Sequence, residues 1–209
     1  MKIFVVGASG RVGNLLTAIL AENGHEVYAG ARQPENISAS GELIHKVTLD
    51  LHANVAEIGQ VINGMDAVYF VAGSRGHDLL QTDAFGAVKV AQATQANGID
   101  RFILLSSLFA TEPSHWDLPG LADLTDYNIA KYFADTWVMD NFKTNYTILQ
   151  PATLTEDAGT GKITINVTDG GKNPIEDVAE TLATMLDKPV TYRKIVTMHS
   201  GSTSIAAAF

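Results

Sequence analysis

The sequence contains no cysteine. Disulfides, thiol nucleophiles and thiolate metal sites are therefore excluded from the outset. Positive charge is scarce: 14 Lys and Arg stand against 23 Asp and Glu, a formal net charge of -9. Nucleic acid and anionic lipid both call for a basic face, so neither is an expected partner. Long apolar runs are missing too. No window reaches the roughly 18 apolar residues of a membrane span, and the opening MKIFVVGASG breaks into glycine too soon for a secretory leader. The six histidines show no metal-ligand spacing and no aspartates cluster, so no metal is expected. What is present is a chain of 209 residues, 46% hydrophobic and 18% charged. That suffices for one domain with a sizeable core. The expectation is a soluble, cytoplasmic protein that acts on a small molecule, with a homodimer left open.

Short apolar runs alternate with segments of helical period. Residues 2–7, 26–31, 43–49, 66–73, 101–107 and 146–151 read as strands. Several are apolar at successive positions, as expected where helices cover both faces of a parallel sheet. Residues 12–24, 54–64, 83–98, 125–141 and 173–186 read as helices, and in the first of these Leu15, Leu16, Ile19 and Leu20 form one stripe. Three helices stop at an Asn-Gly pair (23–24, 63–64, 97–98), which supplies a residue able to take positive φ. Residues 205–209 carry no signal. The alternation predicts a Rossmann-type, doubly wound α/β domain over residues 1–209. Its parallel sheet is covered by helices on both faces, and a small C-terminal segment, 151–209, serves the substrate side.

The stretch GASGRVG (Gly7, Ala8, Ser9, Gly10, Arg11, Val12, Gly13) follows the first strand and opens the first helix. Gly7 allows the tight turn, Gly10 lets backbone approach a pyrophosphate, and Gly13 permits close helix–strand packing. The helix N-terminus adds free N–H groups and a positive dipole end. Cofactor choice follows from charge. An NAD site places a carboxylate at the end of the second strand for the ribose 2′-OH. Here that place reads Ala31-Arg32-Gln33, with no acid before Glu35. Arg32 suits a 2′-phosphate, and Arg11 is placed for the adenine or a second contact. NADP(H) is expected in preference to NAD(H).

The spacing G-x-x-G-x-x-G resembles the short-chain dehydrogenase/reductase superfamily, and most of all its atypical and extended branches, with the NmrA-like and biliverdin-reductase-B-like proteins. The likeness covers residues 1–187. It implies that Asp50 meets the adenine amino group with Leu51 packed nearby, and that Ala72 and Gly73 line the adenine ribose. It also gives meaning to Tyr127 and Lys131, which share one helical face at i, i+4. In that family the lysine lowers the phenol's pKa and holds the nicotinamide ribose, while the tyrosine exchanges a proton with the substrate oxygen. Ser107, with Ser106 as the alternative, orients the substrate carbonyl. Asp135 stands where relatives carry Glu. QPATL resembles the Pro-Gly-x-Leu turn that packs on the nicotinamide, with Pro151 kept and Ala152 in the glycine's place. Asp177 reads as a helix-start residue. His115 and Trp116 lie in a long loop and either stack on a planar substrate or pack back on the body. Arg75 and His77 lie near the expected nicotinamide side.

The resemblance implies an NADP(H)-dependent oxidoreductase for a small carbonyl, quinone or flavin-like acceptor. A non-catalytic NADP(H)-sensing module of NmrA-like type is the second reading. A nucleotide-sugar epimerase or dehydratase comes third, because members of that type carry a longer C-terminal substrate domain.

Overall fold

The computed structural model describes all residues 1–209. Nine strands form one sheet: β1 (Lys2–Val6), β2 (Glu26–Ala31), β3 (Ile44–Thr48), β4 (Ala67–Phe70), β5 (Arg101–Leu105), β6 (Asn145–Pro151), β8 (Lys162–Ile165), β10 (Lys194–Ser200) and β11 (Thr203–Ser204). Their order is β11-β8-β10-β6-β5-β4-β1-β2-β3, and β7 (Thr153–Thr155) pairs separately with β9 (Lys172–Pro174). From β3 to β10 every neighbour is parallel; β8 and β11 add an antiparallel edge. Helices α1 (Arg11–Glu22), α2 (Val55–Val61), α3 (Phe85–Ala96), α4 (Thr125–Asn141) and α5 (Ile175–Thr184) cover it. This is the doubly wound α/β fold that the alternation predicts. The winding reverses between β1 and β4, so a crevice is expected beyond their carboxyl ends.

Side-chain alternation explains the unbroken apolar runs. Ile3 and Val5 join the core under α1 and α5, whereas Phe4 and Val6 join the core under α2, α3 and α4. β5 divides likewise: Ile103 and Leu105 go to the first core, Phe102 and Leu104 to the second. Each such side chain contributes roughly 1.5–3 kcal/mol through burial. Leu16 and Leu20 of α1 are fully buried, with Leu15 and Ile19 at the margin of the same core. Gly24, Gly64 and Gly98 all take positive φ, between 67° and 82°, as the Asn-Gly stops require. A buried Arg101 on β5 ties β6 to the residues that follow α5. Its guanidinium donates to the carbonyls of Met185, Leu186 and Asn145 and to the Thr147 hydroxyl, at 2.6–2.9 Å.

Three departures from the sequence reading matter for the site. Residues 71–73 and 106–107 lie beyond β4 and β5 and belong to the connecting loops. The third helix does not begin at 83. A π-helical turn, Leu79–Ala84, precedes α3 and carries Asp83 inward, fully buried. The C-terminal segment is built into the main body: β8, β10 and β11 extend the main sheet and α5 covers it, while β7 and β9 pair apart as a small ribbon. The tail closes on a 3-10 turn, Ile205–Ala207, with Ile205 buried against α5.

Candidate active site

The glycine turn is built as its spacing requires. Gly7 has φ 90°, and a Cβ there would stand 2.6 Å from the Ala72 backbone. The loops after β1 and β4 thus touch at the switch point. A Cβ on Gly13 would come within 2.2 Å of the Gly7 carbonyl, so α1 packs onto the turn only with glycine there. The N–H groups of Gly7 and Ala8 both donate to the Gly30 carbonyl (2.9 and 3.0 Å), which fixes the loop to β2. The start of α1 has no side-chain cap and no acid in its first turn. Free N–H groups at a helix start that carries no acid fit a phosphate. Arg11 reaches across to Glu156, in the β7–β8 connection, at 2.6 Å, and both side chains are largely exposed.

Farther along the crevice, Arg32 follows β2 and is exposed. Asp50 accepts from the His52 N–H at 2.9 Å. The Leu51 and Ala53 carbonyls accept from the buried Lys89 ammonium at 2.5 and 3.0 Å, so this loop is held from below. Ala72 and Gly73 follow β4, with Gly73 exposed.

Tyr127 and Lys131 lie on the inward face of α4, and the Lys131 ammonium is 5.5 Å from the centre of the Tyr127 ring. Lys131 is only 2% exposed. Its ammonium lies 3.6 Å from Asp83 Oδ1. Asp83 Oδ2 accepts from the backbone N–H and the hydroxyl of Ser74 at 3.0 and 2.5 Å. One turn along α4, the fully buried Asp135 accepts from the Gln150 amide at 2.9 Å. Asp83 Oδ1, Asp135 Oδ1 and Gln150 Oε1 have no hydrogen-bond partner. Buried polar atoms in that state mark a place for water or ligand.

The electrostatics differ from the two-residue picture. Burial pushes the Tyr127 phenol above its ordinary range; Lys131 opposes this, but Asp83 and Asp135 add to it. The lysine acts in the expected direction and is outweighed. For Lys131, burial disfavours the ammonium, yet Tyr127, Asp83 and Asp135 favour it, and the net shift is upward. Burial pushes the Asp135 carboxyl up to about 6, against the Ser106 hydroxyl, the Gln150 amide and Lys131. Ser106 therefore faces α4, continuing the side of β5 that Phe102 and Leu104 take. The neighbouring Ser107 is also buried.

A glycine cradle at the switch point, with buried Lys131 and half-buried Tyr127 beside the next strands, points to dinucleotide binding, and sequence comparison agrees. The profile of the NAD(P)H-binding family matches residues 7–189. The chain belongs to that family. Among solved structures, the oxidoreductase ylbE of Lactococcus lactis is 40% identical with TM-score 0.96, covering 100% of this chain and 94% of that one. A Bacillus subtilis relative called the uncharacterized sugar epimerase YhfK is 32% identical, covering 100% of this chain and 98% of its own. A short-chain dehydrogenase/reductase of Veillonella parvula in complex with NADP shares the fold, with TM-score 0.77 at 19% identity, covering 97% and 96%.

Within this NAD(P)H-binding chain the remaining sequence expectations fall as follows. Pro151 ends β6 and is buried. Ala152 donates its N–H to the Met198 carbonyl and to Asn173 Oδ1 and has no positive φ, so the glycine of the related turn is not required. Asp177 accepts from the Thr160 N–H and hydroxyl and from the Gly161 N–H, pinning the 156–161 loop to the start of α5. His115 stacks on the buried Phe109 at 4.5 Å, and the Trp116 indole donates to the Phe109 carbonyl. Both aromatics pack back on the body. Arg75 and His77 are exposed in the loop after β4. Asp83 and Gln150 escaped the sequence reading. Gln150 had one signal, a polar residue inside the otherwise apolar buried strand β6, whereas Asp83 had none.

Proposed function

We propose that this family member is an NADP(H)-dependent oxidoreductase that exchanges hydride with a small carbonyl, quinone or flavin-like acceptor. The observation that carries the reading is the buried Lys131 ammonium beside the Tyr127 ring, in the crevice that the glycine cradle opens. The Gly7–Gly13 turn, with Ala8, Ser9 and Val12, would hold the pyrophosphate. Asp50 and Leu51 would hold the adenine, and Ala72 and Gly73 its ribose. Arg32 would take the 2′-phosphate, since no acid precedes Glu35. Arg11 would join it on leaving Glu156. That exchange costs little, because an exposed ion pair is worth only about 0–1 kcal/mol. Lys131 would hold the nicotinamide ribose, with Pro151 against the ring. The nicotinamide supplies a hydride at C4 when bound. Tyr127 donates the proton to the substrate oxygen, and Ser107 orients that oxygen, with Ser106 as the alternative.

The name of the Bacillus subtilis relative favours a second reading, epimerase-type chemistry in which the same tyrosine serves a sugar hydroxyl and the cofactor is regenerated each cycle. The C-terminal segment adds β8, β10 and β11 to the main sheet and α5 to its cover rather than forming a separate unit, which argues for a small substrate instead. Turnover across aldehydes, quinones, flavins and nucleotide sugars separates the two. A reductase consumes NADPH, and an epimerase leaves it unchanged. Tyr127→Phe is expected to abolish carbonyl reduction with little change in NADPH affinity. Full turnover of a carbonyl substrate in that variant would refute the proton role, and no NADPH consumption with any acceptor would refute the reductase reading.

A further inference from the structure

The π-helical turn before α3 places a fully buried carboxylate against the Tyr–Lys pair. π-turns inside helices are rare and recur at functional sites. This one has a clear mechanical result: it brings Asp83 inward, where two Ser74 donors fix Oδ2 and leave Oδ1 aimed at Lys131. Oδ1 makes no hydrogen bond, and a Cβ on Gly73 would lie 3.3 Å from it. The carboxylate thus borders both the ammonium and the loop after β4.

We propose that Asp83 is a positioning residue for Tyr127 and Lys131. Its carboxylate holds the ammonium and offsets that charge, so the phenol keeps its proton and stands as a donor to an oxygen being reduced. The inference rests on the oxidoreductase reading for its chemical meaning. In the reducing direction the acceptor carbon gains the hydride that a bound nicotinamide would supply, and the carbonyl π pair moves to oxygen. That oxygen takes the proton as the Tyr127 O–H bond breaks. The phenolate left behind regains its proton from water. A phenol facing an unbalanced ammonium would lose its proton more readily and suit oxidation instead.

The charges around the phenol are few. α4 presents Lys131 and Asp135, and the π-turn presents Asp83; these are the three that act on it. From α3, Lys89 is engaged with the Leu51 and Ala53 carbonyls. The 3-10 turn before α4 carries Asp123 at the exposed surface. β6 brings the neutral Gln150, and β5 ends in the neutral Ser106 and Ser107. Burial and the two carboxylates raise the phenol's pKa while Lys131 lowers it, as this arrangement implies.

The test reads the phenol directly and needs no substrate. Tyrosinate absorbance is titrated in the intact chain, and the Tyr127 component is taken as the part lost in Tyr127→Phe. Asp83→Asn is expected to move that component down by about one pH unit. Ser74→Ala keeps the carboxylate while removing one of its hydrogen bonds and is expected to leave the component in place. A role in local packing alone would move both variants alike. If Asp83→Asn does not fold, the double variant Asp83→Asn/Lys131→Met carries the test. With offsetting charges its component stays near the wild-type position, whereas an inert Asp83 would let it rise by about a unit once the lysine is gone. A component that does not fall in Asp83→Asn overturns the proposal. Turnover plays no part in this readout. The proposal and the oxidoreductase reading can therefore fail separately.

Discussion

Asp135 offers a quantitative check on the buried charge network. Its carboxyl is wholly buried, and burial pushes its pKa from 3.8 up to about 6. A carboxyl raised on folding contributes stability that is fully present below the unfolded value and lost as pH rises through the folded one. The wild type therefore carries a penalty that accrues between about pH 4 and pH 6 and is complete near neutrality. A rise from 3.8 to about 6 corresponds to about 3 kcal/mol. Asn at this position is nearly isosteric, cannot ionise, and still accepts from Gln150. Asp135→Asn should match the wild type near pH 4 and exceed its unfolding free energy by about 2–3 kcal/mol at about pH 7.5. Urea unfolding of both proteins across that range measures the gap, with unchanged m-values as the control for the denatured state. A gap that is constant with pH, or a variant less stable at neutrality, would refute the reasoning. Either result would mean that Lys131 and Gln150 stabilise the carboxylate more than burial disfavours it.

Other perturbations follow from the same structure. Arg101→Leu leaves the Met185, Leu186 and Asn145 carbonyls without their buried donor, and unfolding free energy should fall by about 3 kcal/mol or more. A loss under about 1 kcal/mol in chemical denaturation would show that water replaces the guanidinium. Gly13→Val drives a side chain into the Gly7 carbonyl, and NADPH affinity measured by fluorescence should drop at least tenfold, about 1.4 kcal/mol. Unaltered affinity would mean the phosphates do not rest on this turn. Arg32→Asp should shift preference from NADPH toward NADH in paired titrations. A wild type that already prefers NADH would contradict the charge argument.

Much of this fold was legible because its signals are local. The Gly7 turn, the Asn-Gly stops and the i, i+4 spacing of Tyr127 and Lys131 need only a few residues of context, and α4 occupies the residues its pattern predicts, 125–141. The unbroken apolar runs of β1 and β5 reported burial on both faces. The edge strands β8 and β11 were not legible, being short and covered on one face at most. The π-turn was not legible either. LLQTDA carries no helix-breaking residue, and its flanks are tied from afar: His52 on Asp78, and Lys131 on Asp83. The phenol's environment shows the same limit. Spacing revealed the lysine that lowers its pKa, while one opposing carboxylate arrives from a different element and the other from the next turn of α4. Ala152 makes the reverse point: it stands where the related turn has glycine, yet the backbone there needs no positive φ.

The central claim is that the opening turn grips a pyrophosphate and thereby sets a nicotinamide beside Tyr127. A crystal structure with NADPH bound tests it most directly. The phosphates are expected on the N–H groups at the start of α1, residues 11–13, the ribose hydroxyls on Lys131, and the ring facing the Tyr127 hydroxyl. Cofactor bound elsewhere, or a Tyr127 side chain turned away from the ring, would contradict it.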